Sequence, residues 1–539
     1  MGGKPAAPAE PLRSSRSMAL GTLASRATGF LRTLIIGVAI GGLVGDAYNA
    51  ANTIPNIIYE LLLGGVLTSV VVPLLVTAQR DADEGEAYAQ RLLTVVVIGL
   101  GTITLVTVAL APTIIRLYLV NPDMAPLATF FAWFFLPQIF FYGVGAMVGA
   151  ILNVRGSFAP PMWTPVLNNV VLILTGILFI AVTQTEQVKH GHLTSAQQLL
   201  LAAGTTLGIA AQTVALLPAL SATGFRLRPR FDFRAAGLPA AARLAGWVFV
   251  YVLANQAAFL VITRLATAPN NGSFTIYVYA FTLVLLPHSV VAVSVITALL
   301  PQMSRNAGQG RLDAVGADLA RGLKLAAVVL VPSALAGIVL GPLIGGVLFG
   351  HRAFSLAQGR LVGATLAAYA LSLVPFSAFQ LQLRAFYAMR DTRTPALVNL
   401  ALAAINIAAD LVMVAVLPAP ERAVGLAIGY SVSYIAGYVW FTMLLRRRLG
   451  PAPRAHVTRT LVRLSVAGLA AAVFGYVASH AVTDALGVGV SGSLVGIAAA
   501  LAIGAPVYIG LALWMRVPEV RQVGDLARGS MGATNWTND

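Results

Sequence analysis

Apolar residues in this chain run in blocks of twenty or more, interrupted by short stretches rich in Gly, Pro, Asn, Asp and Arg. Blocks of that length are long enough to cross a membrane as helices. Fourteen such helices are predicted, at 17–41, 46–78, 91–119, 126–153, 159–184, 198–222, 238–264, 274–302, 324–349, 360–389, 394–418, 421–445, 458–482 and 491–515. The punctuation between them repeats. "NVRGSFAPP", between the fourth and fifth helices, and "AMRDTRTPA", between the tenth and eleventh, place Arg155 and Arg390 five residues before Pro160 and Pro395, an offset of 235. Pro55 and Pro73 around the second helix answer Pro287 and Pro301 around the eighth, at offsets of 232 and 228. Six helices separate the members of each pair.

The expectation is therefore an all-α polytopic membrane protein with two six-helix lobes related by an internal repeat and two extra C-terminal helices. Its predicted parts are an N-terminal segment 1–16, an N-lobe 17–222, a basic linker 223–237, a C-lobe 238–445, the last two helices 446–515 and a tail 516–539. Two parallel repeats around a central cavity is a transporter plan, with alternating access by rocking one lobe against the other. The alternative is chance recurrence of loops and prolines in a Pro/Gly-rich membrane protein.

Composition agrees with the membrane reading. The 539 residues are 58% hydrophobic and 10% charged, with a mean hydropathy of +0.83, against about 25% charged residues in a soluble protein. The net charge of +16 would suggest nucleic acid in a soluble protein, but here the charges lie in short loops. Cysteine is absent, which excludes disulfides, thiolate metal sites and a cysteine nucleophile. The first seventeen residues resemble a signal n-region, yet the apolar run that follows is too long and contains Arg26 and Arg32. With the N-terminus cytoplasmic, inside loops collect Arg226, Arg228, Arg230, Arg234 and Arg243, then Arg305, Arg311 and Arg321, Arg390 and Arg393, and Arg446–Arg448. The opposite side receives few basic residues, so both termini are predicted inside a bacterial cytoplasmic membrane.

Charged residues within the apolar blocks are few enough to weigh singly. A guanidinium near the middle of a spanning helix costs at least about 2.5–3.5 kcal/mol on insertion scales, and persists only where water, a partner or a ligand compensates it. Arg26 and Arg32 lie about 9 Å apart along the first helix and roughly 120° apart around it. Arg26 is about 14 Å deep, and Glu60 in the second helix reaches a similar level, so a Glu60–Arg26 pair is one reading. Arg32 has no acid at its level in either helix. An unpaired arginine facing a wet cavity suits a phosphate or carboxylate. Asp46, after the Gly-rich turn "GGLVGD", either caps the second helix or serves the outer end of a cavity. His288 reads as a satisfied interior histidine. Asn406 and Asp410 share a helix face at i, i+4. With hydroxyls such as Ser431 or Ser433 they would make a hard-cation site; pairing of Asp410 with Asn255 or Gln256 is the alternative. No Ser/His/Asp set, metal cluster or phosphate-cradling glycine loop stands out, and a transporter is expected rather than an enzyme.

Longer motifs carry a resemblance. "ASRATGFLRTLIIG", "GDAYNAANTIPNIIYELLLGGVLTSVVVPLL", "AILNVRGSFAPPMWTPVLNN" and "LRAFYAMRDTRTPALVNLALAAINIAADLVM" resemble the MurJ/MviN family of lipid II flippases, within the MOP exporter superfamily. The resemblance implies fourteen helices whose two lobes move lipid-linked peptidoglycan precursor (lipid II, on undecaprenyl diphosphate) to the outer leaflet. It implies a cationic cavity in which the family's first-helix arginines fall on Arg26 and Arg32 and its aspartate on Asp46. The sodium-site pair of some members looks like Asn406 and Asp410. The sequence departs from the family at Tyr59 and Glu60, where two arginines are usual, at Gly64 in place of a glutamate, and at Thr282 in place of a cavity arginine.

The expected function is lipid II export for peptidoglycan and cell-shape maintenance, with Arg32 and Arg26 on the diphosphate and Glu60 as counter-charge or gate. No nucleotide motif is present, no cofactor is expected, and coupling to Na⁺ or membrane potential would run through Asp410. Cell-wall synthesis proteins are the further partners expected. Export of another lipid-linked oligosaccharide, such as a teichoic or capsular unit, and a scaffold for wall-synthesis proteins are the alternatives.

Overall fold

The computed structural model describes residues 9–61, 71–79, 83, 85–232, 238–269, 271–450 and 454–527. Those residues form helices joined by short turns and loops, with no strand among them. In order the helices are α1 (Ala9–Ile40), α2 (Leu43–Leu61), α3 (Val72–Ala78), α4 (Glu86–Ala109), α5 (Ala111–Tyr118), α6 (Ala125–Phe135) and α7 (Gln138–Val154). Then come α8 (Ala159–Val182), α9 (Thr185–Lys189), α10 (Ser195–Val214), α11 (Leu216–Ala222), α12 (Leu238–Thr267), α13 (Ser273–Pro287) and α14 (Val293–Gly308). The last are α15 (Leu312–Phe349), α16 (Leu356–Ala388), α17 (Arg393–Val416), α18 (Arg422–Leu449), α19 (Arg454–Leu486), α20 (Val490–Trp514) and α21 (Pro518–Ala527). Thirteen helical stretches among the described residues are long and apolar enough to span a membrane. The second predicted segment is represented by α2 and α3, and residues 62–70 between them lie outside the description. Leu105, Leu174, Val416 and Trp514 stand 60–77% exposed, an outward apolar surface that belongs against lipid.

Where the apolar pattern runs unbroken, several predicted helices are two. Pro137 parts α6 from α7, and Ala111 with Pro112 restarts the chain at α5, because proline withholds an N–H and disturbs the preceding turn. After Pro287, residues His288–Ala292 form a π turn, with the Val293 N–H bonded to the His288 carbonyl.

The chain forms two compact units. One comprises residues 1–256 and 267–275, the other 257–266 and 276–539. In the first, Leu92, Leu93, Met147, Ile151, Leu216 and Phe225 form a buried core. The described part of the basic linker is bound rather than free. Gln90 on α4 donates to the Arg226 carbonyl (2.7 Å) and accepts from Arg230 Nε (2.8 Å), while Thr94 accepts from the Arg230 N–H (3.0 Å).

In the second unit α15 and α16 approach backbone to backbone through two GxxxG patterns. A Cβ on Gly363 would overlap the Gly341 carbonyl, and one on Gly345 would overlap the Gly359 carbonyl. Small residues permit this closeness in membranes, where packing rather than hydrophobicity drives helix association. The thirteenth and fourteenth predicted helices, α19 and α20, pack against α15 through Leu464, Ala467, Tyr508 and Ala512.

The repeated motif has a structural counterpart in each unit. α7 ends with Gly156 at φ +80 and a Ser157 N–H to Leu152 carbonyl bond of 2.8 Å. α16 ends with Arg390 at φ +61 and an Asp391 N–H to Phe386 carbonyl bond of 2.9 Å. Both are Schellman-type ends. The left-handed residues are Gly156 and Arg390, so the second unit has one more residue between its turn and its proline.

Candidate substrate-binding residues

In the first unit α1 lies along α8. Gly21 sits beneath Trp163, whose Nε1 donates to the Ser17 carbonyl at 3.2 Å. Asn169 donates from Nδ2 to the Ser25 carbonyl and to Thr28 Oγ1, both at 3.0 Å, and Gly29 leaves room for that amide. This buried asparagine fixes the face of α1 that meets protein.

Arg26 is left exposed and Arg32 half-buried. Among the described residues neither is paired with a carboxylate. The side chain of Glu60, the expected partner of Arg26, lies outside the described residues. Arg32 instead lies close enough to act electrostatically on the hydroxyls of Tyr48 and Tyr142. Tyr48 shares a 2.8 Å hydrogen bond with Thr205, and its ring meets Phe131 and Phe135 edge-on. Tyr142 donates to Asn56 Oδ1 (3.3 Å) and packs against Tyr59 at 4.3 Å. The site is thus one guanidinium among tyrosine hydroxyls, and Tyr59 contributes an aromatic face where the family pattern has an arginine.

Asp46 is turned into the protein and 4% exposed. Its Oδ1 accepts from the backbone N–H and the hydroxyl of Thr275, both at 2.8 Å. Thr275 occupies the first turn of α13, where N–H groups lack intrahelical partners. Asp46 caps a helix, as one reading expected, but that helix is the eighth predicted one rather than its own. The geometry that permits this is tight: a Cβ on Gly45 would stand 2.6 Å from Thr275 Oγ1, and one on Gly272 (φ +82) would stand 2.6 Å from Gly42 Cα.

In the second unit Thr282 donates to the Val278 carbonyl (3.0 Å). His288 is buried, with Nδ1 2.9 Å from Ser377 Oγ and its ring 4.7 Å from Phe376. Asn406 Nδ2 donates to Asp410 Oδ2 at 3.0 Å, as their i, i+4 spacing requires. Asp410 is fully buried, and Gly429 leaves room for Oδ1, which has no hydrogen-bond partner among the described residues. Ser431 and Ser433 do not turn to it. Their hydroxyls donate to the Ala368 and Tyr430 carbonyls at 2.8 Å. Tyr277 and Tyr369 flank the carboxylate closely enough to interact electrostatically. No group of three or more metal-ligating side chains occurs among the described residues.

Sequence reasoning found the arginines because charge is rare in apolar blocks. It missed Tyr48, Tyr142 and Thr275, whose types give no such contrast, and Asn169, for which the polar pair "NN" inside "VLNNVVLI" was an available signal.

Thirteen apolar spanning stretches, two compact units and, on a spanning helix, arginines without a carboxylate partner among the described residues define a polytopic membrane transporter. Solved structures show the same fold: "Lipid II flippase MurJ, inward closed conformation" matches at TM-score 0.74 and 20% identity over 94% of this chain and 99% of that one. An inward-facing MATE transporter of the MOP superfamily matches at TM-score 0.61 and 16% identity, over 78% and 94%. The family model described as lipid II flippase MurJ matches residues 36–497, and the chain belongs to that family. Two relatives named "Probable lipid II flippase MurJ" are each 26% identical. The Vibrio cholerae protein is covered over 85% of this chain and 87% of its own length, the Thermotoga maritima protein over 81% and 85%.

Proposed function

We infer that this protein is a lipid II flippase that moves lipid-linked peptidoglycan precursor from the inner to the outer leaflet of the cytoplasmic membrane by alternating access. Both termini face the cytoplasm in this reading, and cell-wall synthesis proteins are its further partners. The observation that carries the site assignment is Arg32, half-buried in a spanning helix with tyrosine hydroxyls for neighbours and no carboxylate among the described residues. A diphosphate supplies the missing negative charge, and its oxygens match the guanidinium fork. The Tyr48 and Tyr142 hydroxyls beside it are already hydrogen-bonded to Thr205 and Asn56, which leaves the guanidinium as the donor to those oxygens, and Arg26 extends the positive surface about 9 Å along α1.

We also propose that the Asn406–Asp410 pair couples transport to a monovalent cation, on the ground that Asp410 Oδ1 is buried and unbonded among the described residues. A buried carboxylate with one oxygen unbonded is costly in a membrane. Sodium held by Asp410 and the Asn406 amide oxygen would neutralise it.

Reconstitution in proteoliposomes with labelled lipid II tests both assignments. Wild-type protein is expected to flip the lipid, and Arg32→Ala to fold, reach the membrane and fail to flip it. Wild-type rates from Arg32→Ala would overturn the site, and flipping of other lipid-linked oligosaccharides with none of lipid II would overturn the substrate. Replacing Na⁺ by choline is expected to slow flipping by the wild type and to leave Asp410→Asn unaffected.

A further inference from the structure

Between α14 and α16 the second unit contains a cavity of about 460 Å³, lined by His288, Thr297, Pro301, Gln380 and Arg384 among others. Arg384 sits in "LQLRAFYA", inside the tenth predicted helix. Its Nε is buried without a hydrogen-bond partner among the described residues, and no carboxylate among them pairs with it. Its guanidinium is 5.8 Å from the Tyr387 ring centroid, a contact through the ring face that orients the group without occupying an N–H donor. Other arginines near helix ends in this protein are satisfied differently: Arg155 donates to the Thr223 carbonyl at 3.1 Å and Arg448 to Asp391 at 2.5 Å. Gln380, one turn before Arg384, also lines the cavity and offers an amide on the same helix face.

Arg384 lies four residues before the end of α16, about 6 Å along the helix. The arginines that follow, Arg390 and Arg393, mark that end as cytoplasmic under the positive-inside rule. The cavity therefore opens a cation at the depth of inner-leaflet headgroups, where a lipid-linked substrate presents its phosphates before export.

We propose that Arg384, with Gln380, binds the isoprenyl-linked diphosphate of the substrate in this α14–α16 cavity, as a contact separate from Arg26 and Arg32. This rests on the transport reading above. His288 borders the cavity but is bonded to Ser377, and Thr297 donates to the Val293 carbonyl at 2.8 Å, which leaves Arg384 and Gln380 as the available donors.

The test uses purified full-length protein in nanodiscs of zwitterionic lipid, with farnesyl diphosphate as the binding probe and phosphatidylglycerol and inorganic pyrophosphate as competitors. Arg384→Gln is expected to weaken farnesyl diphosphate binding by about tenfold or more, since a charged hydrogen bond is removed. Arg384→Lys, which keeps the charge but not the fork, is expected to lose less, and Gln380→Leu to lose severalfold. Melting temperature is measured for each variant, and Arg384→Lys keeps the comparison open where Arg384→Gln does not fold. Equal probe affinity in wild type and Arg384→Gln overturns the contact, even where flipping is lost. Displacement of the probe by phosphatidylglycerol at equal concentration assigns the cavity to bulk phospholipid and also overturns it. In both cases lipid II flipping by the wild type leaves the transport reading standing. A wild type that neither binds the probe nor flips lipid II overturns the two together.

Discussion

Replacing Asp46 with alanine separates a substrate contact from a helix anchor. The carboxylate serves two donors on Thr275, which is itself fully buried. The two are not equivalent. The Thr275 hydroxyl also reaches the Gly42 carbonyl at 3.2 Å, so it keeps an acceptor when Asp46 is truncated. The Thr275 N–H has no second partner within the first turn of α13, and leaving it buried and unbonded costs about 1–3 kcal/mol. Two orphaned donors would double that figure. Asp46→Asn retains an acceptor oxygen and is expected to cost about 1 kcal/mol, and Thr275→Val a similar amount. At roughly 2–4 °C per kcal/mol for a domain-sized unit, Asp46→Ala should melt several degrees below wild type in detergent. Tryptophan fluorescence on heating, run beside the flipping assay, reads both properties. A variant that melts with the wild type yet no longer flips lipid II would refute the anchoring role and make the carboxylate a substrate group.

Three other substitutions follow from geometry already given. Gly363→Leu should abolish stable expression, because even a Cβ there meets the Gly341 carbonyl, and size-exclusion chromatography of solubilised membranes would report it; a monodisperse variant refutes the close seam. Arg390→Gly should raise the melting temperature by the equivalent of about 1 kcal/mol, since its left-handed φ of +61 suits glycine. Asp391 should make stability pH-dependent. Burial pushes its carboxyl up, but hydrogen bonds from Thr394 and Arg448 outweigh that and hold it below the usual carboxylate range. Its contribution is therefore complete above the unfolded value and fades as pH falls through the lower folded one. Asp391→Asn should be destabilised relative to wild type at pH 7, with the gap closing toward pH 3 in melting scans.

The fold was legible because lipid imposes one rule on every span: twenty apolar residues with their backbone bonds closed internally. Interior breaks were less so, since a proline in an apolar run signals a kink without saying whether the chain restarts, as at Pro137, or shifts to a π turn, as after Pro287. Candidate site residues were legible where charge contrasts with hydrocarbon, as at Arg26, Arg32 and Asp410. Arg384 carries the same contrast but stands near Arg390 and Arg393, and it is easily absorbed into the loop charge beside them. The partner of Asp46 was beyond reach, because Thr275 lies 229 residues away and only the folded turn at Gly272 brings the two together.

The π turn at His288–Ala292 has a consequence for numbering as well as shape. Its extra residue advances the helical phase by about 100°, so the faces presented before and after it are out of step with any single repeat. Removing one residue there would restore a regular helix and leave every side chain beyond the turn unchanged, yet swing Thr297 and Pro301 around the axis and out of the wall they share with Arg384. In this helix a deletion is a rotation, and chain length itself sets which residues meet.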